Sequence, residues 1–167
     1  MREEHVVSKK KRGLKRHSGE EQKQYEREAR LQYGPTEVNE TIGRWNSYSK
    51  AEQAAILAEG DRVYEDFAEA MAADLEADDE RVREILERWQ AHLRHFYEPS
   101  LDRLRGLGQL YNSHPEFIAN FQNIHPELPG YLERVIEDYV DALETAELER
   151  MLAEDEALAR RRGRLSG

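Results

Sequence analysis

The sequence contains no cysteine in its 167 residues. This absence excludes disulfide bonds, thiolate metal sites and a cysteine nucleophile, and it fits a reducing compartment. Long apolar runs are missing as well. The basic N-terminus is not followed by the apolar segment of a signal peptide, and no stretch approaches the roughly 18 apolar residues of a membrane span. We therefore expect a cytoplasmic protein with no membrane association.

Positive charge is scarce in the middle of the chain. The formal net charge is −10 at pH 7, yet residues 1–17 carry seven Lys or Arg against two Glu, and residues 158–167 carry four Arg and no acid. The acidic segment between these tails repels nucleic-acid phosphates, so we expect no direct nucleic-acid binding. Residues 1–18 lack apolar periodicity, which is typical of a disordered basic arm. Such an arm offers a docking site for a protein partner.

Strand patterns and internal repeats are also absent, and apolar residues recur at the three- and four-residue steps of helices. This periodicity predicts an all-α domain over residues 19–145, followed by a C-terminal helical tail over 146–167 that extends or frays into solvent. The apolar stripe of the last core helix runs from Leu132 to Leu143. The predicted helices cover residues 19–33, 36–46, a long segment from Ser49, 79–97, a segment from Pro99 to Tyr111, a short segment through Phe121, and the last core helix.

Local signals mark several helix ends. "SKAE", Ser49 to Glu52, and "SHPE", Ser113 to Glu116, both have the spacing of a capping box, in which a serine hydroxyl and a glutamate satisfy free backbone N–H groups. Gly106 and Gly108 interrupt a helical pattern. Each costs about 1 kcal/mol relative to alanine, so the pattern predicts a close approach to the backbone at both glycines.

Motifs for catalysis and metal binding are missing. His92 and His95 are three residues apart, but no acidic residue on that helical face completes a metal-binding triplet, and HExxH is absent. GxSxG, the P-loop and GxGxxG are absent too. We expect neither an enzyme nor a metal or other cofactor. A heme bound through one of these histidines is the enzyme-class alternative, which a Soret band would reveal.

Aromatic residues are the distinctive feature of the composition. Trp89, Phe96 and Phe117 are expected mainly in the core, because they fall on apolar helical stripes. Tyrosine combines a rigid apolar ring with a polar tip, which suits the wall of a ligand cleft. The chain has eight tyrosines, several of them close to Gly106 and Gly108.

The order of motifs in the second half of the chain resembles a known family. Phe96-Tyr97 is followed by "RGL", by "LY" at Leu110-Tyr111, by P-x-F at Pro115–Phe117, and by a Pro/Leu-rich turn into a final amphipathic helix. This order is similar to that of the TipAS family of antibiotic-binding domains, which often follow a MerR-type DNA-binding domain. With "YEREARLQYG" and "SYSKAEQ" upstream, the resemblance runs from about Gly19 to Glu144.

The resemblance implies a globin-like helical domain whose cleft binds thiopeptide-like or other bulky antibiotics. It also implies mobile N-terminal helices that close over the ligand as a lid, which agrees with the marginal helices predicted over residues 19–46. By residue type and motif position we expect the ligand-binding residues to be Trp89, Tyr97, Tyr111, Phe117 and Phe121 as cleft wall, His92 and Tyr131 as polar contacts, and Trp45 and Tyr48 from the lid.

The sequence departs from the family pattern in two places. Some members carry a cysteine after the Phe-Tyr pair that captures thiopeptides covalently; here Glu98, Pro99 and Ser100 stand there, so binding by this chain is expected to be reversible and non-covalent. No MerR-like helix-turn-helix precedes the domain, so we expect a stand-alone protein that sequesters drugs, in resistance or in sensing. The alternative is a ligand-responsive regulatory interaction module related to MerR-family regulators.

Overall fold

The computed structural model describes residues 35–166 of the chain. Within this range the fold is helical and contains no strand, which confirms the prediction of an all-α class. The predicted arm over residues 1–18 and the predicted helix over 19–33 lie outside the described residues. The helices are α1 (Pro35–Ser47), α2 (Lys50–Ala72), α3 (Glu80–Leu93), α4 (Leu101–Tyr111), α5 (Pro115–Gln122) and α6 (Leu128–Ser166).

Side-chain caps determine where several helices begin. The predicted capping box of α2 is confirmed: Ser49 Oγ accepts from the Glu52 N–H at 3.1 Å, and the Ser49 N–H donates to Glu52 Oε1 at 2.9 Å. Asp79 accepts from the Arg81 N–H at the start of α3. These contacts satisfy backbone donors that have no partner within their own helix.

The second predicted capping box is wrong. α5 begins at Pro115, its N-cap is His114, and His114 Nδ1 accepts from the Glu116 N–H at 3.3 Å. The cap moves by one residue because proline suits the first helical position, where its missing N–H has no intrahelical partner to lose.

The helices around Pro99 are shorter than predicted. α3 ends at Leu93, four residues before Tyr97, and α4 starts at Leu101 with Ser100 as its N-cap. The connection begins with a turn over residues 94–96. Helical geometry does not continue through Glu98 because a proline disfavours it in the residue before it.

The core is formed by α2 to α6. The predicted stripe of α6 is confirmed from Leu132 to Val140, while Leu143 is half-buried. Each fully buried large apolar side chain contributes about 1.5–3 kcal/mol from its removal from water. The largest of them are Trp89, Phe67, Leu86, Leu104, Leu128, Leu132 and Ile136.

α4 packs closely against α6 at Gly108. A Cβ built on Gly108 would lie 2.8 Å from Ile136 Cγ2 and 3.1 Å from Ile136 Cβ, so the two helices approach as near as they do only because that side chain is absent. The predicted close approach is therefore correct at Gly108. It is wrong at Gly106, where a Cβ would meet nothing within 4 Å.

A set of ion pairs reinforces the same helix contact at the protein surface. Arg105 on α4 contacts Glu137, Asp141 and Glu144 on α6, with 3.0 Å to each of the last two. Hydrogen bonds to Glu144 and Asp141 raise the pKa of the Arg105 guanidinium, which stays charged at all ordinary pH values.

The C-terminal part of α6 projects beyond the core. From Thr145 to Leu165 every residue is exposed, and the helix is supported by ion pairs within one or two turns, such as Arg150 with Glu147 and with Glu154 at 2.6 Å each. The predicted tail thus extends as a continuous helix instead of fraying. Neither α6 nor another helix in residues 35–166 combines the length and apolar character needed to cross a membrane.

Candidate functional site

The aromatic side chains of α2 to α5 form a buried cluster around Tyr111. Its ring centroid lies 4.9 Å from Phe121, 5.4 Å from Phe117, 6.1 Å from Tyr64 and 6.3 Å from Trp89. Edge-on and tilted pairs at such distances add about 0.5–1.5 kcal/mol each beyond the area they bury. We refer to these five residues as the inner ring cluster.

The polar groups of the inner ring cluster form hydrogen bonds with one another. The hydroxyls of Tyr64 and Tyr111 share a hydrogen bond of 3.0 Å, and Trp89 Nε1–H donates to the Tyr111 hydroxyl at 3.4 Å. Burial raises the pKa of Tyr64 to about 12, so its hydroxyl is neutral and can donate. Tyr64, Trp89, Tyr111 and Phe121 are buried, whereas Phe117 is half-buried beside His114. Phe117 is therefore the edge of the cluster that reaches the surface.

A second aromatic group lies where the C-terminal end of α1 meets the C-terminal end of α3. Trp45 stacks on Phe96 at 5.3 Å, and the Tyr48 ring packs edge-on against His95 at 5.7 Å. Phe96 in turn contacts the His92 ring at 5.4 Å. We refer to these five residues as the outer ring cluster. Apart from His92, all of its members are half-buried and present part of their surface to solvent.

Hydrogen bonds connect α1 and the following turn to the rest of the fold at the outer ring cluster. The Tyr48 hydroxyl and His95 Nδ1 share a hydrogen bond of 3.4 Å, Arg44 donates to the Arg94 carbonyl, and Gln53 Nε2 donates to the Trp45 carbonyl at 2.9 Å. The Glu59 carboxylate lies 4.0 Å from His95 Nε2. The outer ring cluster is therefore an aromatic surface with an acidic neighbour.

His92 occupies a confined position beneath this surface. A Cβ on Gly60 of α2 would lie 2.8 Å from His92 Nε2, so the ring fits only against a glycine. Its Nδ1 is buried and has no hydrogen-bond partner within the described part of the chain. Burial, opposed by the nearby Glu59 carboxylate, lowers the pKa of His92, so the imidazole is neutral at pH 7. A neutral, unsatisfied ring nitrogen at the base of an aromatic surface is suited to a hydrogen bond with a ligand.

The other two predicted site residues have different surroundings. Tyr97 is half-buried, and Arg103 Cζ lies 4.2 Å from the centroid of its ring. Tyr97 also contributes to the raised pKa of Tyr64. Tyr131 is buried on α6, and its hydroxyl donates to the Leu75 carbonyl at 2.8 Å. Burial raises the pKa of Tyr131 to about 12. That hydroxyl fastens α6 to the turn between α2 and α3.

The structure thus places seven of the nine predicted residues in the two clusters and leaves Tyr97 and Tyr131 outside both. Trp89, Tyr111, Phe117 and Phe121 belong to the inner ring cluster, and Trp45, Tyr48 and His92 belong to the outer one. The prediction omitted three residues that the geometry brings into these groups: Tyr64, His95 and Phe96. The burial of Tyr64 could have been predicted from the sequence, since Tyr64 follows Gly60 by four residues and precedes Phe67 by three on the buried face of α2.

Comparison with known proteins gives this helical domain a family. The family model of the TipAS antibiotic-recognition domain matches residues 25–139. The chain belongs to the TipAS family. The matched range contains every residue of both ring clusters and ends at Tyr139, so the projecting part of α6 lies outside it. No group of three or more His, Asp or Glu within residues 35–166 is arranged to hold a metal ion.

Relatives of this TipAS domain include regulators and an antibiotic-bound structure. It is 29 % identical over 123 residues to the HTH-type transcriptional activator mta of Bacillus subtilis, covering 73 % of this chain and 47 % of that protein. It is 30 % identical over 92 residues to the HTH-type transcriptional regulator SkgA of Caulobacter vibrioides, covering 54 % of this chain and 36 % of that protein. The chain therefore spans less than half the length of each.

The solved structure of TipAS from Streptomyces lividans in complex with nosiheptide, part of a thiopeptide antibiotic multidrug resistance system, superposes with a TM-score of 0.64 at 25 % identity. The superposition covers 78 % of this chain and 97 % of that chain.

Proposed function

We propose that this TipAS domain binds a bulky antibiotic-like molecule, of thiopeptide type or similar, reversibly and without catalysis, and thereby sequesters or senses it in the cytoplasm. The observation that carries the proposal is the match in fold and family to the Streptomyces lividans TipAS, which was solved with nosiheptide bound. The two ring clusters support it, because a large apolar ligand needs rigid aromatic area with a few polar groups among it.

The outer ring cluster is the proposed contact surface. Trp45, Tyr48 and Phe96 are half-buried, so they offer apolar area that a ligand can cover without first opening the core. A flat aromatic ligand would replace or extend the stack of Trp45 on Phe96. The segment ending in α1 would then act as the lid, and its ordering on the ligand would lower the net affinity.

The inner ring cluster is the proposed supporting wall. Trp89, Tyr111 and Phe121 are held by ring contacts and by the hydroxyl hydrogen bonds, while Phe117 carries the wall to the surface. Tyr97 and Tyr131 remain proposed contacts by motif position. A wall that is already ordered costs little entropy on binding, so it raises affinity.

Binding is proposed to be non-covalent because the chain offers no thiol. The sequence has no cysteine, and Glu98, Pro99 and Ser100 follow the Phe96-Tyr97 pair. No thiolate is therefore present to add to a dehydroamino acid of a thiopeptide. Release of intact ligand after denaturation, measured by mass spectrometry, tests this part of the proposal.

The alternative is a regulatory interaction module that ligand switches. It is supported by the names of the relatives, which are HTH-type transcriptional regulators. Deletion of residues 1–18 separates the two functions: the proposed drug binding keeps its affinity, whereas docking of a protein through the basic arm is lost.

Calorimetric titration of the full chain with nosiheptide tests the proposal. Trp45→Ala should weaken binding roughly tenfold through the lost stacking surface. Tyr139→Phe is the matched control, because its hydroxyl bonds to Gln90 on the α3–α6 contact and belongs to neither cluster. An affinity unchanged by Trp45→Ala would move the contact surface elsewhere. Absence of heat with nosiheptide and with a panel of other thiopeptides would refute antibiotic binding of this type.

The two tryptophans allow a local readout of the same titration. The chain has two, so Trp89→Phe leaves Trp45 as the reporter of the surface and Trp45→Phe leaves Trp89 as the reporter of the core. We expect a large fluorescence change from Trp45, a small one from Trp89, and new amide-exchange protection over residues 19–48. The opposite ranking of the tryptophans would contradict the proposed roles of the clusters.

A further inference from the structure

The projecting part of α6 carries an apolar stripe that the domain does not cover. Met151, Leu158 and Leu165 follow one another at intervals of seven residues, and Leu148 precedes Met151 by three. All four side chains are exposed, Leu165 by 88 %, and Leu152, exposed by 63 %, borders the stripe. The seven-residue step is that of one seam position of a coiled-coil heptad; Leu148 begins the other seam position, which continues with Asp155 and Arg162.

The length of the exposed helix suits a short two-stranded pairing. Residues 145–165 are all exposed, and they span about 30 Å at 1.5 Å per residue, or three heptads. The ion pairs within the helix stabilise it as a helix but leave the stripe in water. A contiguous row of exposed apolar side chains is a candidate interaction surface.

The charges of this segment identify the occupant. Residues 147–156 contain five acidic residues and one arginine, whereas residues 160–164 contain four arginines and no acid. A parallel pair of identical helices would place like charge beside like charge along its whole length. An antiparallel pair places the acidic half of each helix beside the basic half of the other.

We propose that residues 148–165 pair antiparallel with the same segment of a second copy of this chain. The two-fold axis passes between residues 156 and 157, which sets Leu148 opposite Leu165 of the second copy. In the same register Met151 lies opposite Arg162 of the second copy and Asp155 lies opposite its Leu158. Glu154 then flanks the seam beside Arg161 of the second copy, once on each side of the axis. The segment lies outside the family match, so the proposed pairing does not rest on the proposed ligand binding.

Sedimentation equilibrium of the full chain tests the pairing. The mass should rise from 19.6 kDa towards twice that value with concentration, and the association should weaken with salt because it depends on exposed charges. Leu158→Glu should abolish the dimer. Ala153→Glu is the matched control, since Ala153 lies on the opposite face of the exposed helix. A monomer at every concentration overturns the proposal, and so does a mass of three or more chains.

A charge exchange tests the register. Glu154→Arg and Arg161→Glu should each weaken association roughly threefold to thirtyfold, because each removes two flanking pairs from the symmetric dimer. The double variant should recover most of that loss, since the exchanged charges face each other again. Circular dichroism of each variant controls for the loss of the Arg150–Glu154 pair within the helix. A double variant weaker than both single ones overturns this register.

Spin labels distinguish the orientation. The absence of native cysteine allows a single label at Ala146→Cys. In the antiparallel pair the two labels are separated by roughly 30 Å along the helix axis, from the rise of 1.5 Å per residue. In a parallel pair they lie side by side at the same level. A short distance between labels at this position refutes the antiparallel arrangement.

Discussion

Replacing Gly108 with alanine tests the closeness of the α4–α6 contact. The new Cβ would lie 2.8 Å from Ile136 Cγ2, and Ile136 is fully buried and cannot move away into solvent. Relieving such a contact requires side-chain or backbone shifts that cost about 1–3 kcal/mol. Alanine also favours the helix over glycine by about 0.5–1 kcal/mol. The first effect should exceed the second, so Gly108→Ala should lower the free energy of unfolding.

Gly106→Ala provides the matched control on the same helix. A Cβ at Gly106 meets nothing within 4 Å and the position is exposed, so this variant should gain the helix propensity alone, about 0.5–1 kcal/mol. The propensity terms cancel between the two variants. Their difference in unfolding free energy therefore isolates the steric cost, about 1–3 kcal/mol with Gly106→Ala the more stable.

Urea unfolding followed by far-UV circular dichroism measures this difference at one fixed protein concentration, so that the proposed self-association affects both variants alike. Equal stability of the two alanine variants would refute the reasoning, because it would mean that α4 and α6 are not in contact at Gly108.

Three further changes test other contacts by the same urea assay. Ser49→Ala should lower the free energy of unfolding by about 1 kcal/mol, because α2 loses its N-cap. An unchanged free energy of unfolding would contradict this expectation. Tyr64→Phe should cost about 1 kcal/mol, because it removes the hydrogen bond to the buried Tyr111 hydroxyl. The pKa of His92 in the folded state is below its usual value of about 6.5, so the unfolded chain binds a proton at this residue more readily than the folded chain does. The free energy of unfolding should therefore fall as the pH drops below about 6.5. Between about pH 8 and pH 5, His92→Phe should flatten this decline; an unchanged pH slope would show that the ring is not buried.

Helix starts were predictable where four consecutive residues determine them. The Ser49 box forms as the sequence indicates, since both of its hydrogen bonds lie within the segment from Ser49 to Glu52. The same four-residue pattern failed at Ser113 because a proline within it has its own preferred helical position. Competing local signals must therefore be ranked by their energies, and spacing alone does not rank them.

The glycine pair shows a second limit. Leu104, Gly108 and Tyr111 lie at steps of four and three on the buried face of α4, and Gly106 lies off that face. The sequence pattern thus contained the distinction between the two glycines. It did not contain the partner, since only the packed structure brings Ile136 of α6 to Gly108.

The candidate site could be predicted by residue type but not by arrangement. Trp45 and Trp89 were both expected at a ligand cleft, and the fold places the first on a half-buried surface and the second in the core. Which rings meet depends on how α1 docks on the end of α3 and how α5 covers α4, and neither contact leaves a periodic signal in the sequence. The role of all nine residues in binding remains a prediction.

Because α6 is one continuous helix, a change in the direction of its buried turns also moves its exposed end. Its first turns lie in the core beside Gly108, and its last turns, roughly six of them, stand in solvent on the same uninterrupted helix. A tilt of only 6° at the core would displace the far end by roughly 3 Å over an arm of about 30 Å. Small adjustments of the packed helices would thus be magnified at the far end of α6, where the proposed pairing lies.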